Sequence, residues 1–199
     1  MSDSDLIRLY EPPLSDKEAI LIGRIIALWG ALEYVVFEQT LATFEVQSPE
    51  ELPPEMNNLS FVKALGLWKS QVADVAEGEV REVLKQLYTK INNLKDSRNA
   101  MIHGMWTWST AELGEICTRR VSNKKLINMS FPAGRLADLH DELAVINFNI
   151  RYPGGSEDFV LEIAGEGSFI SRRALRALTG DCTADYSFQS QIRLRDRPE

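Results

Sequence analysis

Apolar residues recur at helical spacing four times along the first three-quarters of the chain. Ile22, Ile25, Trp29, Leu32 and Val36 step by three and four, which predicts a helix over about 16–45. Ser15-Asp16-Lys17-Glu18 opens it as a capping box, in which the Ser15 hydroxyl accepts from the third backbone N–H and Glu18 reaches back. Prolines at 49, 53 and 54 then interrupt regular hydrogen bonding and mark a loop. A second helix starts near Ser60, carries Phe61, Leu65, Trp68, Val72 and Val75, and is expected to stop at Gly78. The third stripe is the longest: Val80, Leu84, Leu87, Ile91, Leu94, Arg98, Met101 and Met105. One of its members is charged. Leu136, Leu139, Leu143, Ile146 and Ile150 mark a fourth helix over about 134–151. Four narrow stripes of this period predict a mainly α fold, an antiparallel four-helix bundle.

Between the third and fourth stripes the period drops to two. Ile116, Thr118, Leu126, Ile127, Met129 and Phe131 alternate with polar residues around Ser122-Asn123. A β-hairpin insert is therefore expected within 112–131, its strands at about 112–120 and 124–131. Beyond Pro153-Gly154-Gly155 the pattern weakens. The division expected is a bundle over 1–151 and a short C-terminal appendage over 152–199. The appendage is read as a strand (Phe159 to Ile163), a short helix (Ser171 to Leu178) and a mobile polar tail.

Composition narrows the class. The chain has 199 residues and a net charge of −7, unevenly distributed. Residues 1–97 hold 9 Lys and Arg against 16 Asp and Glu, whereas 98–199 hold 13 of each. An acidic surface does not attract nucleic acid as a whole, so RNA would have to be gripped locally, in the C-terminal half. The acidic N-terminus does not look like a secretory signal, and the sequence is read as having no membrane span. Cys117 and Cys182 stand alone, which matches neither a disulfide framework nor a zinc site. A soluble, cytoplasmic protein without a metal or other cofactor is the expectation.

The candidate chemistry lies in Ser97-Arg98-Asn99-Ala100-Met101-Ile102-His103-Gly104-Met105-Trp106. Arg98 holds an inward position of its stripe, where a guanidinium must find a carboxylate, a phosphate or a wet cleft. His103 follows five residues later, about 140° around the helix. One bundle interior does not easily hold both side chains; a rim or a subunit interface does.

An Arg-x4-His motif with Asn after the Arg and Gly after the His, ending a third helix, resembles the HEPN superfamily. Trp29-Gly30-Ala31-Leu32-Glu33 in the first helix is similar to a Trp-x3-Glu pattern of bacterial HEPN-like proteins, and the hairpin before the last helix fits as well. The resemblance spans about 16–151 and leaves the last 48 residues aside. It implies a homodimer and a metal-independent endoribonuclease in which Arg98 and His103 meet across the interface and the RNA's own 2′-hydroxyl attacks. It also implies membership of toxin–antitoxin or phage-defence systems, with an antitoxin or another protein as partner. Other members have lost activity and act as binding modules.

Within that reading His103 is the general acid or base, Arg98 stabilises the phosphorane, and Asn99 contacts phosphate or fixes the Arg98 rotamer. Glu33 is the expected carboxylate for Arg98. Trp106 is a candidate for stacking on bases, and Arg119, Arg120, Lys124 and Lys125 form a basic cluster at the hairpin tip. Each has a plainer alternative. Arg98 pairs with Glu33 for structure alone, His103 caps its helix, Trp106 or Trp108 is core, and the tip charges are solvated. Arg135 and His140 repeat the Arg-x4-His spacing without Asn and Gly, and are read as polar flanks of the last helix. Three functional classes follow: a ribonuclease, a non-catalytic HEPN-like dimer binding RNA, nucleotide or protein, and an unrelated helical protein.

Overall fold

A computed structural model describes residues 11–44, 52–156, 158 and 159. The chain divides into two compact units, Met1–Gly155 and Ser156–Glu199. The first unit is mainly helical, with a small three-stranded antiparallel sheet. Of the second, Ser156, Asp158 and Phe159 are helical, so Phe159 does not begin a strand. The remaining expectations for the C-terminal segment, including the helix from Ser171, lie outside the described residues.

Helix α1 runs Asp16–Leu41 and begins at the anticipated capping box. Glu18 N–H donates to the Ser15 hydroxyl over 3.4 Å, and Ser15 N–H donates to Glu18 Oε2 over 2.7 Å. Helix α2 covers Phe61–Trp68 and passes into a wider π turn over Lys69–Ala73, spanned by a 2.7 Å Lys69–Asp74 ion pair. Helix α3 covers Gly78–His103 and helix α4 Arg135–Arg151. Gly78 therefore opens α3 instead of closing α2, and its φ of +58° is a conformation glycine adopts at low cost.

The helices share one apolar core. Ile25, Trp29, Leu32 and Val36 of α1, Leu65 and Trp68 of α2, Leu87 and Ile91 of α3, and Leu139, Leu143 and Ile146 of α4 are almost wholly withdrawn from solvent. Asn147 and Gln39 hold polar groups within that core. Asn147 Nδ2 donates to Leu28 O and Leu143 O, both at 3.0 Å. Trp68 Nε1 donates to Gln39 Oε1, and Gln39 Nε2 donates to Ile150 O, each at 2.8 Å. The Gln39 amide thus joins α1, α2 and α4 through two bonds whose loss would leave buried groups unsatisfied.

The sheet has the order β1 (Met105–Trp108), β2 (Glu115–Ser122), β3 (Lys125–Pro132). Its strands differ from the expected hairpin in two ways. The turn is Asn123-Lys124, both at positive φ (50° and 62°), between the last pair Ser122 and Lys125. Such a two-residue turn matches the twist of antiparallel strands. A third strand, β1, also pairs with β2, with Met105 opposite Arg119 and Trp108 opposite Ile116. Met105 therefore leaves the α3 stripe: the helix ends at His103, and Met105 is exposed on a strand. Alternation places Trp106, Trp108, Ile116, Thr118, Arg120, Ile127 and Phe131 on one face. Ile116, Thr118 and Phe131 are buried there.

α1 is a 26-residue helix whose most apolar 18-residue window has a mean hydropathy of 1.8. By length and composition it could cross a bilayer, which differs from the reading of the sequence as having no membrane span. One-third of that window is buried within the chain.

Candidate functional site

Arg98 projects from the last turns of α3 toward α1. Its Nη2 donates to Glu33 Oε1 over 3.2 Å, and its Nη1 donates to Asn99 Oδ1 over 3.2 Å. The same Glu33 oxygen accepts from Trp29 Nε1 at 2.8 Å. This arrangement has a local cause. Trp29 and Glu33 lie one turn apart on α1, the indole is buried, and a buried N–H needs an acceptor. Phe61 of α2 meets the Trp29 ring edge-on at 5.5 Å. The carboxylate that receives Arg98 is thus positioned by α1, and α2 packs behind it.

Arg98 sits at the rim of the core, with 27% of its side chain exposed against 33% for Glu33. The stripe put it inward; the structure puts it at the edge, where its charge keeps partial hydration. Its Nε is buried and has no acceptor among the described residues.

His103 is the last residue of α3 and is exposed. Among the described residues no hydrogen bond fixes its ring. Arg98 and His103 are brought to the same end of one helix, on different sides, and no described contact joins them.

Gly104 follows because the chain passes close to β2. A Cβ built there would stand 2.6 Å from Thr118 Cβ and press on the Ala100 carbonyl. Its φ of −89° is ordinary, so close approach, not backbone freedom, selects glycine. One motif position is therefore explained by packing of the α3 terminus on the sheet.

The remaining candidates separate. Trp106 packs against the core, its ring centroid 5.3 Å from Phe131, which does not suit base stacking. Trp108, on the same face, is 44% exposed. The four basic residues of the hairpin do not share a surface. Arg119 lies on the outer face and donates to Asn128 Oδ1 over 3.2 Å. Arg120 and Lys125 lie on the other face, and Lys124 is in the turn. Arg120 is half-buried, and its Nε is buried without an acceptor among the described residues. The Thr118 hydroxyl, two residues earlier on the same face, is likewise unsatisfied.

His140, the second histidine with this spacing, has Nδ1 2.9 Å from Asp141 Oδ1 on α4. Among the described residues no three His, Cys, Asp or Glu side chains converge to hold a metal ion. A hollow of about 440 Å³ beside the π turn is lined by Gln39, Gln71, Val72, Ile150 and Arg151, and by none of the motif residues. Burial, with the Glu115 carboxylate beside it, pushes the Cys117 thiol above its ordinary range.

Sequence reasoning missed two features of the site. The approach of Gly104 to Thr118 is set by β1, a strand too short to register as an alternation. The isolation of Arg120 from Arg119 follows from strand parity, which the expected register already contained. No family model, no curated protein and no solved structure matches the chain.

Proposed function

We propose that the first unit is a HEPN-like antiparallel four-helix bundle, its sheet standing as an insert before the last helix. In this reading it is a cytoplasmic, homodimeric, metal-independent endoribonuclease serving as a toxin or defence effector. The observation that carries the reading is the Trp29–Glu33–Arg98–Asn99 chain of hydrogen bonds. It holds a partly exposed guanidinium in a fixed place one and a half turns before His103. A guanidinium so held gives a phosphate two charge-assisted donors without reorganisation during the reaction.

In the proposed reaction His103 removes the 2′-hydroxyl proton, or delivers one to the departing 5′-oxygen. The 2′-oxygen bonds to phosphorus, the P–O5′ bond breaks, and a 2′,3′-cyclic phosphate and a 5′-hydroxyl result. Arg98 faces the charge that builds on the phosphorane, and Asn99 keeps the guanidinium turned toward it. No step calls on a metal or another cofactor.

The engagement of Arg98 by Glu33 also favours a second reading, a non-catalytic HEPN-like dimer that binds RNA, nucleotide or a protein partner such as an antitoxin. Cleavage of generic RNA by wild type and by His103→Ala separates the two. Loss of cleavage in a folded variant supports the ribonuclease. No cleavage by folded wild type leaves the binding module.

A further inference from the structure

Arg98 and Arg120 are the two arginines among the described residues that carry a buried Nε with no acceptor. Glu33 and Asn99 engage the rest of the Arg98 guanidinium. Arg120 has no such support. It is half-buried, and no hydrogen bond or ion pair engages its guanidinium. Its Nη atoms, unlike Nε, stay open to solvent. A guanidinium only donates, and a half-buried charge without a counter-charge is costly. What this position lacks is an anionic acceptor.

The fold brings Arg120 to the end of α3. β1 pairs antiparallel with β2, Met105 opposite Arg119, and Gly104 just before Met105 is extended (φ −89°, ψ 143°). One further step of that register sets Gly104 level with Arg120, and His103 immediately precedes Gly104. Packing agrees. The Cβ position of Gly104 falls 2.6 Å from Thr118 Cβ, and Arg120 is the next residue of β2 on that face, about 7 Å along. The Thr118 hydroxyl, 3.2 Å from the same Cβ position, is buried and also without a partner. His103 is exposed, and its ring is engaged by no hydrogen bond among the described residues. Arg98 leaves α3 about 140° away from His103, toward α1.

We infer that Arg120 binds a phosphate of the RNA beside His103, so that a guanidinium stands on each side of the α3 terminus. The identity of the ligand rests on the proposed function; the unpaired guanidinium and its place near His103 do not. Arg120 donates from its Nη groups to the non-bridging oxygens of a phosphate already bound in the ground state. It therefore serves binding more than the chemical step. Arg119 carries the same charge one residue earlier, but it lies on the opposite face and is held by Asn128. It is the internal control.

Fluorescence anisotropy of the full chain with a labelled single-stranded 2′-fluoro RNA tests this, because that probe lacks the attacking hydroxyl and reports binding apart from cleavage. Arg120→Gln is expected to weaken binding about tenfold and to flatten the dependence of log Kd on log salt by about 0.7, the loss of one phosphate contact. Arg120→Met, which keeps the packing of the buried stem, should do the same should the glutamine fail to fold. Arg120→Lys should restore the salt slope and part of the affinity. Arg119→Gln should change binding by about twofold or less. On cleavable RNA, Arg120→Gln should raise KM about tenfold and leave kcat within about threefold. Equal losses at Arg119 and Arg120, an unchanged salt slope in the folded Arg120 variants, or no binding by wild type overturns the phosphate site. Cleavage with an unaltered KM in Arg120→Gln removes the site and keeps the ribonuclease. Binding that depends on Arg120 without cleavage of any RNA keeps the site and removes the ribonuclease alone.

Discussion

Arg98 of α3 and Trp29 of α1 donate to the same oxygen of Glu33, over 3.2 and 2.8 Å. The carboxylate is therefore fixed by the core on one side and meets the guanidinium at the rim on the other. Replacing Glu33 by Gln keeps an acceptor for the indole and removes the charge facing Arg98. The expected cost is about 1 kcal/mol, reduced from a buried-pair value because both side chains are about a third exposed. Chemical denaturation of E33Q, R98Q and the double variant checks it. The double variant should lose less than the sum of the singles, and strict additivity would show that the pair contributes nothing.

Glycine substitutions should act with opposite signs at the end of α3 and within α2. Gly104→Ala forces a methyl against Thr118 and the Ala100 carbonyl, and should destabilise by about 1–3 kcal/mol. Gly66→Ala, on the exposed side of α2 with no atom within 4 Å, should stabilise by about 0.5–1 kcal/mol. Thermal and urea unfolding of both variants measure the contrast. Equal effects of one sign would mean that the α3 terminus does not press on β2.

The hairpin turn offers a stabilising change. Lys124 holds φ at 62°, where a residue with a Cβ is strained and glycine is not. Lys124→Gly converts the turn to Asn-Gly and should add on the order of 0.5–1 kcal/mol in urea unfolding. It removes one of the four basic residues once grouped at the tip, so unchanged RNA affinity in the same variant would take Lys124 out of any phosphate contact.

Much of this fold is visible in the residue pattern because burial selects the same positions that periodicity picks out. Ile25, Trp29, Leu32, Ile91, Leu139 and Ile146 are core residues for the reason that they recur at three and four. The Glu33 partner of Arg98 was legible for a related reason: a charge in an apolar stripe needs a counter-charge, and Glu33, four residues after Trp29, flanks the buried face of α1. Less legible were β1 and the boundary at Gly78, where single residues decide. Met105 continues the helical spacing perfectly and still leaves the helix, because pairing with Arg119 outweighs one more turn. The basic cluster misled because neighbours in sequence point to opposite faces of a strand.

Cys117 should be slow to alkylate. Its thiol is raised above the ordinary range by burial and by the Glu115 carboxylate, so the reactive thiolate forms only at higher pH. Iodoacetamide rates at Cys117, followed by peptide mass spectrometry from pH 7 to 10, should rise later than those of a free thiol. Glu115→Gln should shift the curve toward lower pH, and a curve that does not move would assign the whole effect to burial.

The ribonuclease itself is tested most directly by the ends that its products carry. Purified wild type incubated with single-stranded RNA in excess EDTA is expected to leave 2′,3′-cyclic phosphates and 5′-hydroxyls, and to spare DNA and sites bearing 2′-deoxyribose. His103→Ala should lower the rate by about 10²–10⁴, the share of a general acid–base group. Arg98→Ala should lower it by about 10²–10³, with a thermal melt to show that the fold persists. His140→Ala, which has the spacing without the context, should cleave as wild type does. Equal loss from His103→Ala and His140→Ala, cleavage abolished by EDTA, or no cleavage by folded, dimeric wild type would contradict the account.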